Sequence, residues 1–137
     1  MTDLVSKSRP QYRNIDVTQL AGYRLPPAGI LSILHRISGA LMFLVGLPFV
    51  LYLWQESLTS ELSFQNYRAI ASHWFAKLVL LALVWAFLHH LFAGIRYLAL
   101  DVHVGLEKQQ ANTSALVVFG ASLAVTALAA LKLFGAF

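Results

Sequence analysis

The chain has 137 residues, 58% of them apolar and 12% charged, with a formal net charge of +4 and no cysteine. Soluble domains carry roughly a quarter charged residues, so this composition cannot clothe a water-facing surface. The missing cysteines exclude disulfides, thiolate metal sites and Cys-attached haem, and basic residues that flank apolar blocks rather than forming a patch exclude a nucleic-acid partner in favour of membrane topology.

Residues 1–27 read as a polar cytoplasmic arm holding Lys7, Arg9, Arg13 and Arg24, with Pro10, Pro26 and Pro27 as breakers. No short apolar region lies close to the start, so no cleavable signal is expected and the first span is retained. A three-span transmembrane domain then occupies 28–137. Span one is expected over about 28–54, because no Asp, Glu, Lys, Arg or His lies between Ile37 and Trp54. Pro26 and Pro27 suit its first turn, where an amide hydrogen has no use. Pro48 predicts a kink, and Tyr52 and Trp54 suit the membrane interface. Residues 55–70 form a polar connection with room for a short surface helix.

Span two is expected over about 72–100, where Lys77 and Arg96 bracket an apolar run broken only by His89 and His90. Span three is expected over about 113–134, within a charge-free stretch from Ala111 to Leu131. Each block reaches the roughly 18–20 residues needed to cross the hydrocarbon core. The fold class is therefore an all-α membrane protein with three transmembrane helices running up-down-up. Gly120/Ala124 and Ser122/Thr126/Ala130 read as helix-packing rows on span three. Counting each Lys and Arg by its nearer membrane side gives seven on the N-terminal side and three, Arg68, Lys77 and Lys132, on the other. The basic excess puts the N-terminus in the cytoplasm.

Four polar side chains fall at membrane depth: His35 and Arg36 in span one, His89 and His90 in span two. Charge there costs at least a few kcal/mol and is normally aimed at a partner, cavity or ligand. A rise of about 1.5 Å per residue puts Arg36 roughly 13 Å in from Pro27 and His90 roughly 16 Å back from Asp101. The depths match. Spacings of three, four and seven line up Ser32, His35, Arg36 and Gly39 on span one, and His90, Ala93, Gly94 and Tyr97 on span two. A Ser/His/Arg face opposite a His/Gly/Tyr face suits a planar, anionic or carbonyl-bearing group. Haem b fits: a neutral imidazole ligates iron, while Arg and a second His neutralise propionates. His90 is preferred to His89 as ligand because it shares its stripe with Gly94. The opposite axial ligand is either His35 or a His of another subunit. A quinone is the second candidate, with the Ser32 hydroxyl donating to its carbonyl and the Arg36 charge stabilising the reduced form. His73 and His103 sit at span ends and are expected to be solvated, and Asp101 is placed either to cap the helix end or to pair with Arg96.

SILHRISG (Ser32 to Gly39) and HLFAGIRYLALD (His90 to Asp101) resemble the two signature motifs of the succinate dehydrogenase cytochrome b subunit family. RPQYRNIDV (Arg9 to Val17) resembles that family's N-terminal arm. The resemblance implies a membrane anchor of a four-subunit respiratory enzyme, and the missing transit-like Arg/Ser-rich leader favours a bacterial inner membrane. His90 would be the haem b axial ligand from this chain, opposite a His of the second anchor subunit. His35 would lie near a propionate, and Ser32 and Arg36 would line the ubiquinone pocket beneath the iron–sulfur subunit. Many members carry His where this chain has Tyr97; a tyrosine hydroxyl still reaches a propionate but does not ligate. No flavin motif or cluster cysteine is present, so the chain is not catalytic alone and electrons would arrive from the flavoprotein and iron–sulfur subunits. Membrane lipid covers the rest. The alternatives are a self-contained b-type cytochrome, with His35 and His90 both ligating, and a non-redox membrane subunit.

Overall fold

A computed structural model of the chain describes Thr18 and residues 22–135. Among these residues the helices are α1 (Pro27–Leu41), α2 (Leu47–Thr59), α3 (Glu61–Ser72), α4 (Trp74–Asp101) and α5 (Lys108–Leu133), and a π-helical turn, Met42–Gly46, joins α1 to α2. No strand occurs among the described residues. Three helical stretches there are long and apolar enough to cross a membrane: Pro27–Thr59, Trp74–Asp101 and Lys108–Leu133. The chain is an all-α, three-span membrane protein. Most of the expected arm, including the Arg9–Val17 segment, lies outside the described residues.

Span one begins as its prolines dictate. Pro27 occupies the first turn, and the Pro26 carbonyl accepts from the amides of Gly29 at 2.9 Å and Ile30 at 3.1 Å. Just before Pro48, where a kink is expected, the helix opens into a π-turn whose Leu47 amide reaches back to the Met42 carbonyl. Proline has no amide hydrogen, and its ring crowds the carbonyl four residues earlier. Widening the preceding turn removes that crowding.

The π-turn also sets the register of the span. Its buried residues are Leu31, Ser38, Gly46 and Leu53, spaced by seven, eight and seven. Seven residues return an α-helix to nearly the same face. The eighth is the extra residue that the π-turn absorbs, so Val45 stays outward and Gly46 turns in. There the spans come close: a Cβ on Gly46 would stand 3.1 Å from Cδ2 of Leu83.

Spans two and three meet the seam with small side chains, Ala76, Ala86 and Ala93 on α4 and Ala115 and Ser122 on α5. Lipid tails are as apolar as the helices, so close backbone approach and dispersion, rather than exclusion from water, hold such an interface. The core is centred on Leu31, Ala93, Ala115 and Val118, with Phe92, Tyr97 and Phe119 packed around it. Larger apolar side chains such as Phe43, Leu44, Phe87 and Ile95 point outward. On span three Ser122 packs inward, but among the described residues Gly120 has open space around it and Ala124 is exposed, so the expected Gly120/Ala124 row faces outward.

The polar connection contains a helix of its own. Ser60 caps α3: its Oγ accepts from the Ser63 amide at 3.1 Å while the Ser60 amide donates to Ser63 Oγ at 2.8 Å. His73 is exposed and starts α4 by accepting from the Phe75 amide through Nδ1 at 3.3 Å. His103 is exposed too, and with Gly105 it takes positive φ, 64° and 79°, in the turn into span three.

Candidate functional site

Spans one and two bring together part of the two expected stripes, His35 and Gly39 against His90, Gly94 and Tyr97. The imidazoles of His35 and His90 stack with centroids 4.0 Å apart and planes 13° apart. Tyr97, two turns beyond His90, tilts against His35 at 5.1 Å. Both glycines of the stripes serve the contact. A Cβ on Gly39 would stand 3.0 Å from Cε1 of His90, and one on Gly94 would stand 3.9 Å from Nε2 of His35.

The hydrogen bonds fix the state of His90. Its Nδ1 lies 3.0 Å from the backbone carbonyl oxygen of His35 and 3.2 Å from Ser38 Oγ. A carbonyl oxygen only accepts, so the proton sits on Nδ1. Nε2 is then the nitrogen with a lone pair, the form in which a neutral imidazole binds a metal. Beside it, His35 Nε2 and the Tyr97 hydroxyl are buried and have no hydrogen-bond partner. An unmade bond at a buried polar atom costs about 1–3 kcal/mol, and here two such atoms come from facing spans.

His89 is elsewhere. It is fully buried between spans two and three, stacked on Trp85 at 5.2 Å and on Phe119 at 5.6 Å, and neither ring nitrogen has a partner.

Ser32 and Arg36 are one turn apart on α1, but they do not point into the bundle. Ser32 is half-buried and Arg36 exposed. The inward line of α1 passes through Leu31, His35 and Ser38, which leaves positions 32 and 36 turned aside by about 100° from 31 and 35. Arg36 therefore stands on the outer surface of span one.

Arg96 is reassigned. It does not pair with Asp101, which is exposed; Nε donates to Ser114 Oγ at 2.8 Å and Nη2 to the Ala111 carbonyl at 2.9 Å. The side chain is buried and pins α4 to the first turns of α5. Sequence reading also passed over Ser38. Its one signal was its place three residues after His35, on the same face. An apolar groove of about 420 Å³ lies between α4 and α5, with Phe92, Arg96 and Ser114 among its lining, and contains none of the expected site residues. Among the described residues no group of three or more His, Asp or Glu gathers to hold a metal ion.

A family model described as the succinate dehydrogenase/fumarate reductase transmembrane subunit matches residues 8–129. The chain is similar to the succinate dehydrogenase cytochrome b556 subunit of Coxiella burnetii, at 38% identity over 118 residues covering 85% of this chain and 90% of that protein. It is similar to the subunit of the same name from Paracoccus denitrificans, at 30% identity over 134 residues covering 98% of each. The Rickettsia felis subunit is 34% identical over 110 residues, which cover 80% of this chain and 84% of that protein.

Proposed function

The chain belongs to the succinate dehydrogenase/fumarate reductase transmembrane subunit family, and from that premise we propose that it anchors a succinate:quinone oxidoreductase, holds haem b through His90 and supplies half of a ubiquinone site through Ser32 and Arg36. The observation that carries the reading is the 3.0 Å approach of His90 Nδ1 to the His35 carbonyl oxygen: a carbonyl only accepts, so the neutral ring carries its hydrogen on Nδ1 and has Nε2 to ligate.

The donor set fits haem b. Two orphaned polar atoms, His35 Nε2 and the Tyr97 hydroxyl, lie beside the proposed ligand and would hydrogen-bond propionate oxygens. Gly94 carries no side chain at this face. When bound, the haem supplies a one-electron redox centre at membrane depth. The stacking of His35 on His90 bears on where the second axial ligand comes from. His35 and His90 lie face to face, with parallel rings 4.0 Å apart, so both would not hold the haem iron without one ring leaving the stack. This geometry favours a second ligand from the partner anchor over a self-contained cytochrome.

Arg36 and Ser32 act on the quinone. The Ser32 hydroxyl donates to a quinone carbonyl, and the fixed Arg36 charge stabilises negative charge on that oxygen as electrons arrive from the iron–sulfur subunit and before protons join it. Their outward placement suits a pocket whose other wall belongs to another subunit. With the N-terminus cytoplasmic, this pocket lies toward the soluble subunits, the flavoprotein among them.

Purification of the native assembly in mild detergent tests the reading, with identification of the co-purifying subunits and a reduced-minus-oxidised spectrum. A low-spin b-type spectrum is expected, together with a second anchor, an iron–sulfur subunit and a flavoprotein. Isolation without haem or soluble partners would support a non-redox role instead.

A further inference from the structure

We infer that Ser38 is a positioning residue for His90, its hydroxyl fixing the imidazole and tuning the nitrogen presented to haem. The inference rests on the proposal that His90 is the axial ligand.

Serines inside helices commonly turn their hydroxyl back to the carbonyl three residues earlier, with no further consequence. Ser57 and Ser122 do so here, to Trp54 and Phe119. Ser38 makes the same bond, to the His35 carbonyl at 2.8 Å. What differs is the second contact: His90 Nδ1, 52 residues away in sequence, lies 3.2 Å from the same hydroxyl oxygen. Since Ser38 O–H is already donated to the carbonyl, its oxygen faces Nδ1 as an acceptor. The Nδ1–H is therefore shared between Ser38 Oγ and the His35 carbonyl, and the three groups close a ring of hydrogen bonds.

The surroundings make this ring a clamp. Ser38 is fully buried, so no water competes for its lone pairs. His35 covers one face of the His90 imidazole, and the Gly39 backbone lies close enough that a Cβ there would press on Cε1 at 3.0 Å. Rotation of the imidazole about its Cβ–Cγ bond would break both bonds to Nδ1. The chemical consequence follows from the same contacts. Acceptors on the Nδ1–H make a ligating imidazole a stronger donor through its other nitrogen, and second-shell partners of this kind tune both metal affinity and potential. A stronger donor favours oxidised iron.

Redox titration of the haem in the purified complex tests this, followed by absorbance and run on Ser38→Ala, Ser38→Cys and His90→Leu beside the unaltered protein. Ser38→Ala should keep its haem and shift the midpoint potential upward, and Ser38→Cys, nearly the same volume but a weak acceptor, should shift it the same way. An unchanged potential in the Ala variant overturns the inference. So does a Cys variant that titrates with the unaltered protein, since filled volume would then be what matters. His90→Leu separates the two levels of failure. If it retains the haem spectrum, the ligand assignment falls; if it loses haem while Ser38→Ala titrates unchanged, only the role of Ser38 falls.

Discussion

His89 and His90 are neighbours in the chain and belong to different interfaces: His89 is stacked between Trp85 and Phe119 where spans two and three meet, and His90 lies on His35 where spans one and two meet. One residue of helix turns a side chain by about 100°, and here that step sends the two rings to different helix contacts.

Opposite responses to substitution are therefore expected at the pair. Replacement of His90 by Leu should abolish the b-type spectrum of the complex. His89→Phe should leave that spectrum intact and raise thermal stability, by about 1 kcal/mol, because it removes two buried nitrogens without partners and keeps the stack. Spectra and melting curves of the two purified variants decide it. A His89 variant without haem would move the ligand to that position.

Arg36 is exposed in this chain, so replacing it removes no contact that holds the three spans together. Arg36→Leu is expected to lower succinate:ubiquinone activity by about 100-fold, the order seen when a charge-stabilising group is removed from an active site. Succinate oxidation with an artificial acceptor should stay near the unaltered rate. Ser32→Ala should act in the same direction and less strongly. Equal losses in both assays would argue for damaged assembly rather than a quinone role.

Arg96 should matter to stability and not to the spectrum. Its two bonds, to Ser114 Oγ and the Ala111 carbonyl, diverge from one planar guanidinium. Bonds from a charged donor contribute about 1.5–3 kcal/mol each, so Arg96→Leu should lower the melting temperature of the complex clearly. Arg96→Lys should recover little, because an ammonium lacks the rigid fork. A Lys variant melting with the unaltered protein would show that charge alone suffices.

Gly46 and Leu83 should show coupled effects. Gly46→Leu forces a side chain into a contact where even a Cβ stands 3.1 Å from Leu83 Cδ2, and overpacking of this kind costs about 1–3 kcal/mol. Adding Leu83→Ala vacates the space and should restore part of the loss. Strictly additive effects in the double variant would mean that the two residues do not press on each other.

The three spans and the meeting of His35 with His90 were legible because both follow from length and depth. Apolar runs set the spans, and distances from Pro27 and Asp101 put Arg36, the neighbour of His35, at one level with His90. What the sequence could not reveal was which interface each polar residue serves. Ser32, Arg36 and His35 share one broad stripe by spacing, yet the inward line of α1 includes His35 and leaves Arg36 outside. Periodicity gives relative angles, and only packing fixes where zero lies. Arg96 failed differently: Asp101 was the nearest opposite charge in sequence, but the neutral acceptors Ser114 and Ala111 are presented directly by the next span. Ser38 escaped notice because a back-bonded helical serine looks the same whether or not a distant ring comes to meet it.

The π-turn makes span one tolerant of a change in length at one place. Loss of a single residue within Met42–Gly46 would convert the seven–eight–seven spacing of its buried residues into uniform sevens, and an ordinary α-helix would present the same inner face. The same loss between Leu31 and Ser38 would swing everything beyond it by about 100° and part His35 from the residues that depend on it. Insertions and deletions among homologous first spans should accordingly collect in this turn, and the histidine end should keep its count.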